Sequence, residues 1–198
     1  MRWHVRTMLV LMALGVAACA TTTVKAVWKD EAYQAQPKRV LVIALFKNQT
    51  MRRMVEDEFK GHLKYRGTDA ATGYEVFSGN ELPAKETIVE QVKSGGFDTL
   101  LLTRMIDSRT EKRIVSGSMS HTMPMRGYYG YGYSAVYSPD YQVEDRYATV
   151  ESSLYDVATE KLIWTATSET WMSEGDQKLA RTYAGVMMDS LRKHKIFP

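Results

Sequence analysis

The side chains with the clearest chemical potential fall in one stretch. Met119, His121, Met123 and Met125 alternate along Met-Ser-His-Thr-Met-Pro-Met, so an extended backbone would project all four to one side. Soft thioether donors combined with imidazole select Cu(I). The same segment, in a chain with 12 Met, reads equally as adhesive apolar surface. Directly behind it, Tyr128, Tyr129, Tyr131, Tyr133 and Tyr137 are interleaved with Gly127, Gly130 and Gly132, and Gly117 to Pro139 carries a single charge, Arg126. Tyrosine offers large contact area at low entropic cost, which suits a loop that binds a protein or a glycan. A hairpin extension without a partner is the other reading, and both stay open.

Elsewhere the chemistry thins out. No GxSxG, P-loop, HExxH or GxGxxG pattern occurs, and glycines alternating with tyrosine leave no open run of amides for phosphate. His62 and His194 fall on or beside helical stripes and read as boundary residues. Asp98 and Asp107 bracket an apolar strand whose Asp107 end is where α/β proteins place ligands, but Asp107 with Arg104 and Arg109 reads as a solvated ion-pair cluster. The expectation is therefore no enzyme, no catalytic residue and no cofactor beyond a covalent lipid. With 26 Lys and Arg against 23 Asp and Glu in 198 residues, the charge excess is too small for a dedicated nucleic-acid binder. The only cysteine, Cys19, excludes an internal disulfide and a multi-Cys zinc site.

Cys19 follows a segment of a different kind. Arg2 and Arg6 precede the uncharged run Met8 to Ala18, which is too short to span a bilayer and has the layout of a signal peptide, residues 1–18. The run ends Val16-Ala17-Ala18-Cys19, which resembles the lipobox of bacterial lipoproteins. That resemblance implies a diacylglyceryl group on the Cys19 sulfur, cleavage before it and acylation of the new amino terminus. Two or three acyl chains anchor a protein stably to a membrane. Ala20 at the next position, by resemblance to Gram-negative lipoproteins, implies the outer membrane with the domain facing the periplasm. Loss of Arg2 and Arg6 leaves 24 basic against 23 acidic residues, so the mature chain is close to neutral.

The elements that must position these groups follow from periodicity. Residues 19–36 read as the lipidated Cys and a polar tether ending in an edge strand. Arg39 to Phe46 is a continuous β-branched run, the pattern of a strand covered on both faces. Met51, Met54, Val55, Phe59 and Leu63 recur at spacings of three and four, which predicts a helix over Gln49 to Tyr65. A short strand at Tyr74 to Phe77, a helix near Ala84 to Ser94 stopped by Gly95-Gly96, and a buried strand at Asp98 to Met105 complete a βαβαβ half. Beyond Asp107 the period falls to two. Strands at Thr110 to Ser118, Tyr147 to Asp156 and Lys161 to Met172 form an antiparallel meander, with Ala148, Val150, Ser152 and Leu154 on one face and Leu162, Trp164 and Ala166 on another. Glu160 stands in the last hairpin where glycine is usual, so that turn is expected to be strained or differently shaped. A helix from Asp176 to Lys193 ends the chain, its cations Arg192, Lys193 and Lys195 complementing the C-terminal dipole.

The expected fold is thus α/β (α+β): one mixed sheet, βαβαβ then a meander, packed by about three helices. A single domain spans 37–198, with a mobile Tyr/Gly-rich insertion at 117–139. The stretches PKRVLVIALFKNQTMRRMVEDEF, FDTLLLTRMID, GYYGYGYSAVYSPDY and VESSLYDVATEKLIWTATSET together resemble a family of small bacterial lipoproteins of uncharacterised function. In architecture the chain more loosely resembles the periplasmic domains of the curli secretion channel lipoprotein, the lipoprotein activators of penicillin-binding proteins and the N-terminal domain of TolB. Those resemblances imply an envelope lipoprotein, anchored at the membrane by its lipid, with a structural or adaptor role and an envelope protein as partner. Periplasmic copper binding through residues 119–125 is the alternative, and an unrecognised hydrolase the third.

Overall fold

A computed structural model of the chain describes residues 22–77, 84, 87–115, 125–126, 141–172 and 175–198. One six-stranded mixed sheet organises them. Its strands are β1 (Thr22–Lys29), β2 (Arg39–Leu45), β3 (Asp69–Thr72), β4 (Thr99–Val115), β5 (Tyr141–Asp156) and β6 (Leu162–Trp171), in the order β1-β6-β5-β4-β2-β3. Helix α1 (Gln49–Tyr65) follows β2, the single turn α2 (Gly73–Val76) and α3 (Ile88–Ser94) link β3 to β4, and α4 (Asp176–Lys193) closes the chain. β2 runs parallel to both β3 and β4, and every other pairing is antiparallel. This is the mixed α/β architecture that the strand and helix periods imply, with the parallel half first and the meander second.

Val40 to Ala44 are all buried, as a central strand covered on both faces requires. On one face Val42, Leu101, Leu154 and Trp164 meet α1 and α4, whose Phe59 and Tyr183 rings cross edge to face at 5.8 Å. On the other, Leu41 and Ile43 pack with Phe77, Val92 and Phe97 beneath α3. Asn48 starts α1 by accepting the N–H groups of Thr50 and Met51 at 2.9 and 3.1 Å. Asp98 accepts the N–H groups of Lys38 at 2.7 Å and Arg39 at 3.2 Å, so its carboxylate ties the starts of β2 and β4 together.

Four local features differ from the periodicity. The strand near residue 70 is Asp69–Thr72, paired with Arg39 to Val42, whereas Tyr74 lies in α2; Glu75 accepts the Thr72 N–H at 3.1 Å and turns the chain into a helix there. α3 begins at Ile88, later than Ala84. Edge strand β1 already begins at Thr22, inside the stretch read as tether. The strands expected at 98–105 and 110–118 are one strand, because Ile106 bulges out between the Met105–Val150 and Asp107–Thr149 pairs and pairing then resumes to Val115–Tyr141.

That continuity creates the most unusual part of the fold. β2 leaves β4 at Arg104 and β6 leaves β5 at Tyr147, so the six pairs from Thr110–Arg146 to Val115–Tyr141 form a two-stranded ribbon reaching about 20 Å past the sheet. Charges stitch it across, Lys112 to Glu144 at 3.6 Å and Arg113 to Asp145 at 3.4 Å, and at its root Arg109 reaches Glu169 on β6 at 2.7 Å. Exposed pairs add little stability, but they mark both edges against stray strand pairing.

At the β5–β6 turn Glu160 has φ 59°, the left-handed region, while Asp156 accepts the N–H and O–H of Thr159 at 2.7 and 2.6 Å. The strain expected there is present. Glycine relieves about 1–2 kcal/mol of it and gives back part through the entropy of the unfolded chain, so Glu160→Gly is expected to raise stability by about 0.5–1 kcal/mol. Urea denaturation of the two proteins side by side measures this directly.

Candidate functional site: a cleft at the ribbon root

β2 and β4 are parallel, so their carboxyl ends lie at one edge of the sheet, where α/β folds form ligand sites. Here the chain leaves β2 through Leu45, Phe46 and Lys47 into the first turn of α1, and α4 begins close by after β6. The two helix starts stand apart over β5. Between them and the Ile106 bulge opens a cavity of about 540 Å³. Buried Val55, Ala148, Val150, Leu179 and Ala180 line it, and exposed Lys47, Asn48, Asp107, Ser108 and Asp176 edge it. Three thioethers contribute, Met51 from α1, Met105 from β4 and Met172 from the residue after β6.

Tyr183 also faces the cavity, and it is the group there that could be mistaken for a catalytic one. Its hydroxyl is bonded to both Ser152, at 2.6 Å, and Thr103, and Ser152 donates to Thr103 at 3.2 Å. Burial pushes the phenol from 10.0 up to about 12, against the pull of the Ser152 and Thr103 bonds. It therefore stays protonated at neutral pH, and its hydrogen bonds are spent inside the wall. A raised phenol contributes stability that is complete below 10.0 and is lost as pH climbs through about 12. Tyr183→Phe is expected to cost about 1–2 kcal/mol at neutral pH, because Thr103 and Ser152 still have each other, and to flatten that alkaline loss. Thermal melts between pH 7 and pH 12 check both parts.

The residues singled out by type distribute as follows. Asp107 stands at the cleft edge, with its carboxylate accepting the Ser108 N–H at 2.8 Å. Arg104 and Arg109 do not gather around it: Arg104 pairs with Glu151 at 3.1 Å, and Arg109 with Glu111 at 3.0 Å and Glu169 at 2.7 Å. The expected cluster of Asp107 with Arg104 and Arg109 is therefore not formed: each arginine is drawn to a glutamate, Arg104 to Glu151 on β5 and Arg109 to Glu111 on its own strand and Glu169 on β6. His62 lies at the α1–α4 contact, its Nε2 3.8 Å from where a Cβ on Gly185 would stand, and His194 Nδ1 lies 2.7 Å from the Ser190 carbonyl at the end of α4. Met125 is exposed. Cys19, Met119, His121, Met123, Tyr128, Tyr129, Tyr131, Tyr133 and Tyr137 lie outside the described residues. Among the described residues no three His, Cys, Asp or Glu side chains converge as a metal site would need. The cleft methionines carried no signal in the sequence, since Met51 looks like helix core and Met105 and Met172 like strand ends.

Fold and site together define a mixed α/β domain with an apolar cleft at the carboxyl edge of its parallel strands, beside a projecting ribbon. No family model and no curated protein matches the chain. Among solved structures it is similar to the PelC dodecamer from Paraburkholderia phytofirmans at 15% identity, covering 86% of this chain and 96% of that one, with a TM-score of 0.48. It is also similar to lipoprotein GNA1162 from Neisseria meningitidis at 14% identity, over 79% of this chain and 99% of that one, TM-score 0.44. A putative neuraminyllactose-binding hemagglutinin homolog from Helicobacter pylori is similar at 12% identity, over 80% and 87% of the two chains, TM-score 0.37.

Proposed function

We propose that the chain is an envelope lipoprotein, held at the outer membrane through acylated Cys19 with its domain facing the periplasm, and that it works as a non-enzymatic adaptor through the Tyr/Gly-rich segment at the end of the ribbon. The observation that carries this reading is the direction of β1. Because β1 is antiparallel to β6, Thr22 sits opposite Thr170, at the same edge of the sheet as the cleft and the ribbon. Three residues reach at most about 10 Å, so a lipid on Cys19 is tied close to that edge. Anchor, cleft and ribbon then share one end of the molecule, and a partner met by the ribbon is met beside the membrane.

The test is partner capture from detergent-solubilised envelopes with the whole lipidated chain, with and without residues 119–137, the gap closed by Asn-Gly. Strand pairing already extends to Val115–Tyr141, so the shortened hairpin is expected to keep its melting temperature. Recovery of an envelope protein is expected to disappear. Recovery that survives the deletion would move the interface off the tyrosines, and a deletion that unfolds the domain would assign them to the core.

A further inference from the structure

We infer that the cleft at the ribbon root is the seat of one of the acyl chains carried by Cys19; this rests on the lipidation reading above and adds to it a binding site within the same chain. Proximity comes first. Thr22 is buried, and its Oγ1 lies 3.0 Å from Oγ1 of Thr170, a residue that lines the cleft. The described chain therefore begins one side chain away from the cleft wall, and the three residues back to Cys19 span about 10 Å at full extension. Among the described residues, none is closer in sequence to the proposed lipid than Thr22.

The chemistry of the wall is the second argument. Its polar groups are already satisfied: Tyr183 by Thr103 and Ser152, Thr170 by Thr22. A polar ligand would find no free partner at depth, whereas an apolar one loses nothing by excluding water there. Flexible thioethers from Met51, Met105 and Met172 can follow a chain of many conformers, as aromatic walls cannot. The rim changes character, with Lys47, Asn48, Asp107 and Asp176 placed where the ester and glyceryl end of an acylated cysteine would emerge. The volume, about 540 Å³, falls in the range of about 300–1,000 Å³ that holds small-molecule ligands. One chain seated in the protein and the others in the bilayer would fix the domain's orientation, holding the ribbon at a set angle to the membrane.

The experiment uses the full chain, expressed in an envelope that acylates it and supplied with a photoreactive fatty acid. After purification in detergent and irradiation, peptide mapping finds where the label has cross-linked. The expected product joins the Cys19 lipopeptide to peptides containing Met51, Ile106 or Met172. Ile106, on the exposed bulge, provides the control: Ile106→Glu places a charge at the cleft mouth without touching the core, and is expected to abolish those cross-links while Cys19 stays labelled and the circular dichroism unchanged. Cross-links elsewhere on the chain, or unchanged in Ile106→Glu, would overturn the inference. So would cleft adducts of free lipid that lack the Cys19 peptide. Absence of any label on Cys19 is a separate result: it removes the lipoprotein reading, and the inference with it.

Discussion

Trp164→Ala is expected to destabilise the domain by about 3–5 kcal/mol, a large part of the roughly 5–15 kcal/mol by which a domain of this kind is stable. Trp164 has no exposed surface. It is flanked across the sheet by Leu154 on β5 and Lys29 on β1, and it points to the side covered by α4. Its neighbours along the strand are fixed as well, Ile163 by burial and Thr165 by a hydrogen bond to Ser153 at 2.9 Å. The indole Nε1 is buried without a hydrogen-bond partner among the described residues. Trp164→Phe therefore removes an unsatisfied donor along with some volume, and should cost much less than the alanine. Equilibrium urea titrations of the three proteins give the comparison; a Phe variant as damaged as the Ala variant would show that the nitrogen is in fact bonded.

Glu56→Ala is expected to be of the same size for a different reason. Glu56 has no exposed surface; its carboxylate accepts the Ala44 N–H at 3.0 Å and the Tyr74 N–H at 3.4 Å, and forms an ion pair with the Arg52 guanidinium, whose Nε lies 3.3 Å away. It thereby joins the carboxyl end of β2, the start of α2 and the first turns of α1. Alanine leaves two backbone donors without their acceptor and a buried guanidinium without its carboxylate, a loss of about 3–5 kcal/mol. Burial raises the Glu56 carboxyl above 4.5, against the pull of the Ala44 N–H and of Arg52. The titrating part of its contribution is therefore complete below 4.5 and is lost as pH rises through the folded value. The gap in melting temperature between wild type and the non-titrating Glu56→Gln should accordingly be widest in acid and narrow toward neutrality. A gap that widens with pH would mean that the ion pair dominates over burial.

Long elements with strong periods were legible from residues alone. The apolar recurrences from Met51 to Leu63 and over Asp176 to Lys193, where Leu179, Tyr183, Met187 and Leu191 are buried, mark α1 and α4, and the alternation of Ala148, Val150, Ser152 and Leu154 sets the buried face of β5. What escaped was decided by partners distant in sequence. Asp69-Ala70-Ala71-Thr72 has poor strand propensity and is a strand because β2 offers it four parallel pairs. The Ile106 bulge looked like a break between two strands, since an inserted residue flips parity just as a turn does. Hidden with it was the ribbon, and with the ribbon the cleft at its root. Asp107 pointed to the correct edge of the sheet, but the lining of that edge is assembled from helix starts, strand ends and a bulge, and no spacing along the chain encodes it.

On the proposed function, Cys19 carries the lipid that holds this edge of the sheet at a membrane. Metabolic labelling with radioactive palmitate, comparing wild type with Cys19→Ser, tests it most directly. The account predicts label on the wild-type protein in the membrane fraction and none on Cys19→Ser, which should remain unprocessed or appear in the soluble fraction. Equal labelling of the two proteins, or an unlabelled wild type released in soluble form, would contradict it.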